Sequence, residues 1–227
     1  VVSKFGPVAI FMLLTRTFAS YGVEHLKPAV AYVILTVALL LIFLIIGYPA
    51  FIAIFAHLDP FKFAKKITRV AVFGFSTSSS AATLPLNVKT TVEELGVDEK
   101  IASFVLPLGM TINMNGTAIM QVIATLFIAG CAGYSISFTQ LVVIALLALI
   151  ASAGTPAAPG SGAIILFTIL SGLGYVNDAA MLAYSLILAI NRPIEMLVTA
   201  LNVVGDSATS IYVAKSEGAL NEDVYNA

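Results

Sequence analysis

Ile101 to Gly130 forms one long apolar segment, interrupted at Pro107-Leu-Gly-Met-Thr-Ile-Asn-Met-Asn-Gly-Thr117 by amides, hydroxyls, glycines and a proline. In hydrocarbon an unpaired backbone N–H or C=O costs several kcal/mol, so non-helical chain at membrane depth persists only where protein or a water-filled cavity covers it. Two structures satisfy that constraint. One is a helix with a polar kink packed against a neighbour. The other is a helix broken so that its freed carbonyls hold ions and cargo, as in secondary transporters.

The remainder of the chain supports membrane depth. Hydrophobic residues make up 59% and charged residues 10%, against about 25% charged in soluble domains. Apolar runs separated by short charged clusters read as helical spans rather than barrel strands. A net charge of −1 offers no basic face for nucleic acid. Cys131 is the sole cysteine, which excludes an internal disulfide and a cysteine metal cluster, and a small buried thiol is expected there. The opening Val1-Val-Ser-Lys4 does not read as a signal peptide, and the chain reads as a fragment.

Taken in order, Phe5–Ser20 is apolar around Arg16 and ends at the polar connection 22–27. Pro28–His57 is the longest apolar run; at about 1.5 Å per residue it exceeds a hydrocarbon thickness of about 30 Å, so tilt is expected. Lys62, Lys65, Lys66 and Arg69 follow, a basic cluster that marks the cytoplasmic side. Residues 61–95 read as a re-entrant hairpin whose tip is the polar run Ser76–Pro85, and residues 101–130 as a broken span. The pattern then recurs, with a second hairpin over 138–173, a small-residue tip at Gly154–Gly162, and a polar span over 178–214. Threading places Lys4, Lys89, Lys100 and Lys215 inside and Lys27 outside, so the hairpins enter from opposite faces and the C-terminus is cytoplasmic. An all-α membrane protein with an inverted repeat is the expectation, divided into a leading helix and outer loop (1–27), a main domain (28–218) and a tail (219–227). Tandem hairpins also suit a channel, which stays open as a rival.

Asp206 is the sharpest candidate, because an aspartate in a span requires a cation, a proton or an arginine. Asn202, four residues earlier, shares its helical face. Carboxylate, amide and carbonyl oxygens suit sodium, a hard cation, and Asn113 with the opened carbonyls of the break completes the set; a structural carboxylate paired to a neighbouring span is the alternative. Glu195 and Thr199 are also four apart, and Arg192 lies three before Glu195. That glutamate meets either a cargo ammonium or Arg192. The serine run and the second tip offer hydroxyls and half-helix N-termini suited to a carboxylate. Enzymatic readings fail: His25 and His57 fall at span ends, no zinc spacing or phosphate loop occurs, and an intramembrane protease needs a second carboxylate that Glu195 does not suit.

Four stretches, Ser78–Pro85, Leu106–Thr117, Gly154–Ala163 and Asn202–Asp206, together resemble the signature motifs of the glutamate transporter family, the dicarboxylate/amino acid:cation symporters. The resemblance implies an elevator mechanism against a homotrimeric scaffold in the plasma membrane, with the chain starting at about the family's fifth span and residues 1–27 belonging to the scaffold. It implies one sodium site from carbonyls of Gly109, Asn113 and Asn202 with Asp206, and a second from carbonyls around Thr111, Met114, Ser152, Ala153 and Thr155. Cargo is expected to meet Ser78, Ser79, Ser80, Thr117, Pro159, Gly160, Gly162, Thr199 and Asn202. Two positions depart from the family. Asn115 stands where a carboxylate of a third sodium site is usual, and Val198 stands where an arginine clamps an acidic side chain. Glu195 holds the place of an aspartate that binds the amino group. A buried cargo carboxylate without a partner costs several kcal/mol, so the expectation is sodium-coupled symport of a neutral amino acid. Sodium- or proton-coupled symport of acidic amino acids or C4-dicarboxylates is the alternative.

Overall fold

The computed structural model describes residues 26–227, with Met12 and Thr15 ahead of them. The expected helix Phe5–Ser20 and its Arg16 otherwise lie outside the described residues. Those residues are helical, and their one extended pairing is an isolated antiparallel bridge from Val97 to Leu220. Among the described residues, three helices are long and apolar enough to cross a membrane: Ala29–Ala56, Glu99–Cys131 taken across its interruption, and Arg192–Ser216.

Helix α1 begins at Leu26 and runs unbroken to Ala56. Its stretches Leu26–Ile42 and Tyr48–Phe51 are α-helical, and Phe43–Gly47 and Ile52–Ala56 are π turns. Sequence periodicity explains the π turns. Tyr32, Thr36, Leu40, Tyr48, Ile52 and Ala56 are buried, and Leu44 is packed against the core, so every fourth residue faces inward. On a helix of 3.6 residues per turn, each step of four overshoots by about 40°. The wider π turns absorb part of that drift and keep the stripe against the core. Left-handed His57 ends the helix.

Two helix pairs and two interrupted helices follow in alternation: α2 (Pro60–Thr77), α3 (Ser80–Glu93), α4 (Glu99–Ile112), α5 (Asn115–Cys131), α6 (Phe138–Ala153), α7 (Ser161–Leu173), α8 (Asp178–Ile190) and α9 (Arg192–Ser216). The polar tip expected over Ser76–Pro85 is shorter than its composition suggested. Only Ser78 and Ser79 leave the helices, because Ser79 caps α3 by accepting from the Ala82 N–H and turns the following residues into the first helical turn. Pro85 lies inside α3, where it removes one backbone bond. Ser137 and Gln140 form a capping box that starts α6. Cys131 is exposed at the end of α5, contrary to the expected buried thiol. It closes the helix where the chain turns out of the core, beside an apolar hollow walled by Tyr32 and Phe127.

Helix α9 is the axis of the fold, packing against α1, α2, α3, α4 and α5. Its contact with α3 is a buried polar seam. Asn87 Nδ2 donates to the Val203 carbonyl at 3.0 Å, Ser207 Oγ donates to Asn87 Oδ1 at 2.5 Å, and the Thr91 and Ser207 hydroxyls are 3.1 Å apart.

The last turn of α9 leads into a tail that folds back as α10 (Glu222–Asn226) under the base of α2 and α3. Lys66 Nζ donates to the carbonyls of Glu94, Val224 and Tyr225 at 2.8–2.9 Å, joining the ends of α3 and α10. Lys62 also donates to Asn226, and Lys215 pairs with Glu222. Tyr225 is fully buried and its hydroxyl donates to the Asp59 carbonyl at 2.8 Å. Burial pushes that phenol well above its ordinary pKa, so it stays a neutral donor. Tyr225→Ala will cost about 3–5 kcal/mol, the range for emptying a buried aromatic site. The measurements are thermal unfolding and limited proteolysis, which should newly cut after residue 216.

Candidate functional site

The two interruptions are made by different chemistry. Between α4 and α5, Asn113 and Met114 leave helical geometry, and Asn113 closes α4 with its N–H on the Gly109 carbonyl at 2.7 Å. Between α8 and α9 the break is at Asn191, just before Pro193, whose missing N–H belongs naturally in a first turn. Helix α1 reaches both. Tyr32 donates to Asn191 Oδ1 at 2.6 Å, and Asn115 Nδ2 donates to the Tyr48 hydroxyl at 3.2 Å. Asn115, the residue that departs from the family's carboxylate, is thus held by Tyr48.

Across the first break stands the polar face of α9. Arg192, Glu195, Thr199, Asn202 and Asp206 are spaced three, four, three and four apart and form a single stripe. Asn202, 3% exposed, fastens the break: its Oδ1 accepts the Gly116 N–H at 2.8 Å, and its Nδ2 faces Thr117 Oγ1 and Met114 Sδ, both at 3.2 Å. Asn113 Nδ2 donates to Asp206 Oδ1 at 2.8 Å and to the Asn202 carbonyl at 3.3 Å. Gly109 packs so closely here that a Cβ on it would stand 2.6 Å from Asp206 Oδ1. The structure therefore gathers Gly109, Asn113, Asn202 and Asp206. Asp206 is 2% exposed and has no cationic side chain paired to it among the described residues. The described residues contain no cluster of three or more His, Cys, Asp or Glu side chains placed to hold a metal ion, so a cation held here would be met by the Asp206 carboxylate together with amide and backbone oxygens.

Of the second expected sodium set, Met114 and Thr155 line one cavity and Ser152 is buried nearby on α6, while Thr111 and Ala153 lie on exposed faces.

That cavity, about 30 Å³ and partly open, lies between the two loop tips and α9. Of the residues expected at the cargo site, Ser78, Ser80, Thr117, Gly160, Gly162, Glu195, Val198, Thr199 and Asn202 line it. Two expected residues do not. Ser79 instead joins the tips, its hydroxyl donating to the Ala157 carbonyl at 3.0 Å, and Pro159 gives way to Pro156, Ala157 and Ala158. Ser78 is left-handed, 3% exposed and on the cavity wall, and its hydroxyl has no hydrogen-bond partner among the described residues. Glu195 binds the second tip to α9: its Oε1 accepts the Ala163 N–H at 3.1 Å in the first turn of α7, where the helix dipole favours a carboxylate. Its Oε2 lies 3.9 Å from Arg192 Nη1.

The sequence reading missed Gln121, whose Nε2 donates to the Gly162 carbonyl at 3.1 Å and whose Oε1 is buried without a partner among the described residues. A glutamine four residues after Thr117 inside an apolar run was the available signal. It also missed Met120 as cavity wall, since methionine reads as ordinary core.

Apolar helices broken around buried amides, two buried acids and a small polar cavity define a helical membrane protein built like a transporter. The Sodium:dicarboxylate symporter family model matches residues 1–216, and the chain belongs to that family. A proton/sodium-glutamate symport protein of Bacillus caldotenax is 31% identical over 98% of the chain and 51% of its own length. An excitatory amino acid transporter of Caenorhabditis elegans is 34% identical over 91% of the chain and 41% of its own length. Excitatory amino acid transporter 1 of Homo sapiens is 32% identical over 91% of the chain and 38% of its own length. The chain thus spans about half the length, or less, of the curated relatives it matches.

Proposed function

We propose that this chain forms the cargo-binding part of a sodium-coupled symporter for acidic amino acids or related dicarboxylates. The observation that carries the reading is the fastening of Asp206 and Asn202 to the helix break by Asn113 and Gly116, directly beside the polar cavity. One sodium ion would take the carbonyls of Gly109, Asn113 and Asn202 with the Asp206 carboxylate. A second would take carbonyls around Thr111, Met114, Ser152, Ala153 and Thr155. Cargo would lie between the tips, its amino group on Glu195 and a carboxylate on the Ser78–Ser80 and Gly160–Gly162 tips.

The names of the relatives support acidic cargo over the neutral amino acid that Val198 led us to expect. A neutral cargo remains as second reading for one reason: among the described residues, Glu195 is the only charged one on the cavity wall. We also propose re-entrant hairpins for α2–α3 and α6–α7, entering from opposite faces, and an elevator movement of residues 28–218 against a scaffold that includes 1–27. A homotrimer in the plasma membrane and a cytoplasmic C-terminus complete the proposal.

The test is uptake by the full-length protein in proteoliposomes under an imposed sodium gradient, with aspartate, glutamate, succinate, alanine and serine as competitors. Saturable, sodium-dependent uptake blocked by the acidic compounds is expected. Block by alanine and serine alone selects the second reading, and non-saturable flux without sodium dependence selects a channel and overturns the proposal.

A further inference from the structure

Acidic cargo poses an electrostatic problem that the cavity wall does not solve. An acidic amino acid brings one ammonium and two carboxylates to a wall whose single charge, among the described residues, is the Glu195 carboxylate. Glu195 balances the ammonium, and tip hydroxyls with helix N-termini suit one carboxylate. The second carboxylate needs a cation, because a buried unpaired charge costs several kcal/mol.

Resting on the acidic reading above, we propose that Arg192 is that cation and sets the specificity of the site. It lies on the same stripe of α9, one turn before Glu195, whose carboxylate is on the cavity wall, and two turns before Thr199. Its guanidinium is 3.9 Å from Glu195 Oε2, and its side chain is 49% exposed while that of Glu195 is 9% exposed. Oε1 of the same carboxylate is committed to the Ala163 N–H, leaving Oε2 to face Arg192. A Cβ on Gly160 would stand 4.0 Å from Oε2, so this oxygen lies against the rim of the second tip.

Binding is then an exchange of ion-pair partners. In the empty site Glu195 and Arg192 pair with each other; in the loaded site the cargo ammonium takes Glu195 and the released guanidinium takes the distal carboxylate. Every charge keeps a partner on both sides of the exchange. The planar fork of arginine matches a carboxylate with two parallel hydrogen bonds, which a lysine cannot reproduce. A neutral amino acid makes the first half of the exchange and leaves Arg192 half-solvated, so the guanidinium discriminates by what it gains from the distal acid.

The experiment is sodium-driven uptake of aspartate and of serine by the full-length protein in proteoliposomes, comparing wild type with Arg192→Gln and Arg192→Lys. Arg192→Gln should raise the KM for aspartate at least tenfold and leave that for serine unchanged or lower. Arg192→Lys should fall between the two. Wild-type aspartate uptake with an unchanged aspartate KM in Arg192→Gln overturns the role of Arg192 while sparing the transport reading. Wild type that carries serine and never aspartate overturns both. Parallel losses for both cargos assign Arg192 to holding Glu195 in place and likewise overturn it.

Discussion

If Asp206 holds the proposed sodium ion, Asp206→Asn is expected to abolish sodium-stimulated uptake by the full-length protein and to raise its stability in sodium-free buffer. Both effects follow from one cause. The aspartate is 2% exposed and its Oδ1 takes a hydrogen bond from Asn113 at 2.8 Å. A buried carboxylate is costly until a cation joins it, and removing one partner of a buried charge pair costs about 3–5 kcal/mol. At about 1.4 kcal/mol per decade, sodium affinity falls by two to three and a half decades. Asparagine keeps the shape and retains an oxygen for Asn113, so the fold survives and the buried charge disappears. Thermal melts titrated with sodium read both terms, since a ligand of the folded state raises its apparent stability. A variant whose melting temperature still climbs with sodium as the wild type does would remove Asp206 from the ion site.

Gly205→Ala produces the second large effect, and by packing rather than charge. Gly205 is one residue before Asp206, and a Cβ there would stand 2.7 Å from both Asn113 Nδ2 and Tyr48 Cζ. Neither neighbour retreats easily: Asn113 is bonded to Asp206 and Asn202, and Tyr48 is 6% exposed and accepts from Asn115. Overfilling a packed site costs about 1–3 kcal/mol. Displacing Asn113 also separates Asp206 from its amide donor, so the sodium half-saturation constant rises together with the loss in stability. Gly172→Ala is the matched control. It lies in α7 with nothing within 4 Å of the added carbon, and alanine is the better helix former. A melt of Gly205→Ala indistinguishable from that of Gly172→Ala would show that the packing between α1 and α9 is looser than described.

What the sequence disclosed was mostly local chemistry. Asn113, Asn202 and Asp206 were legible because polar side chains are rare in apolar runs and a four-residue spacing fixes a shared face. Glu195 was left between a cargo amine and Arg192, and the structure adds a third partner, the Ala163 N–H, that no helical spacing encodes. The first tip was drawn too long because a serine run has the composition of a loop, whereas a single capping hydroxyl on Ser79 makes the following residues helical. The fastening role of Asn202 depends on two segments 86 residues apart meeting, and spacing within one helix carries no such information. The tail fared worst. Its polar composition gave no hint that Tyr225 is buried or that Lys66 gathers three carbonyls.

The two π turns of α1 carry a consequence for how the helix breaks keep their distance. Tyr32 anchors α1 to one break at Asn191 and Tyr48 anchors it to the other at Asn115, and the π turn Phe43–Gly47 falls between the two anchors. The helix therefore acts as a gauge bar that fixes both the separation and the angular phase of the two breaks. Removing a single residue from that turn would rotate everything beyond it by about 100°, swinging the Tyr48 hydroxyl toward lipid while Tyr32 stayed in place. The length of α1 is consequently less free to vary than its uniform oiliness suggests.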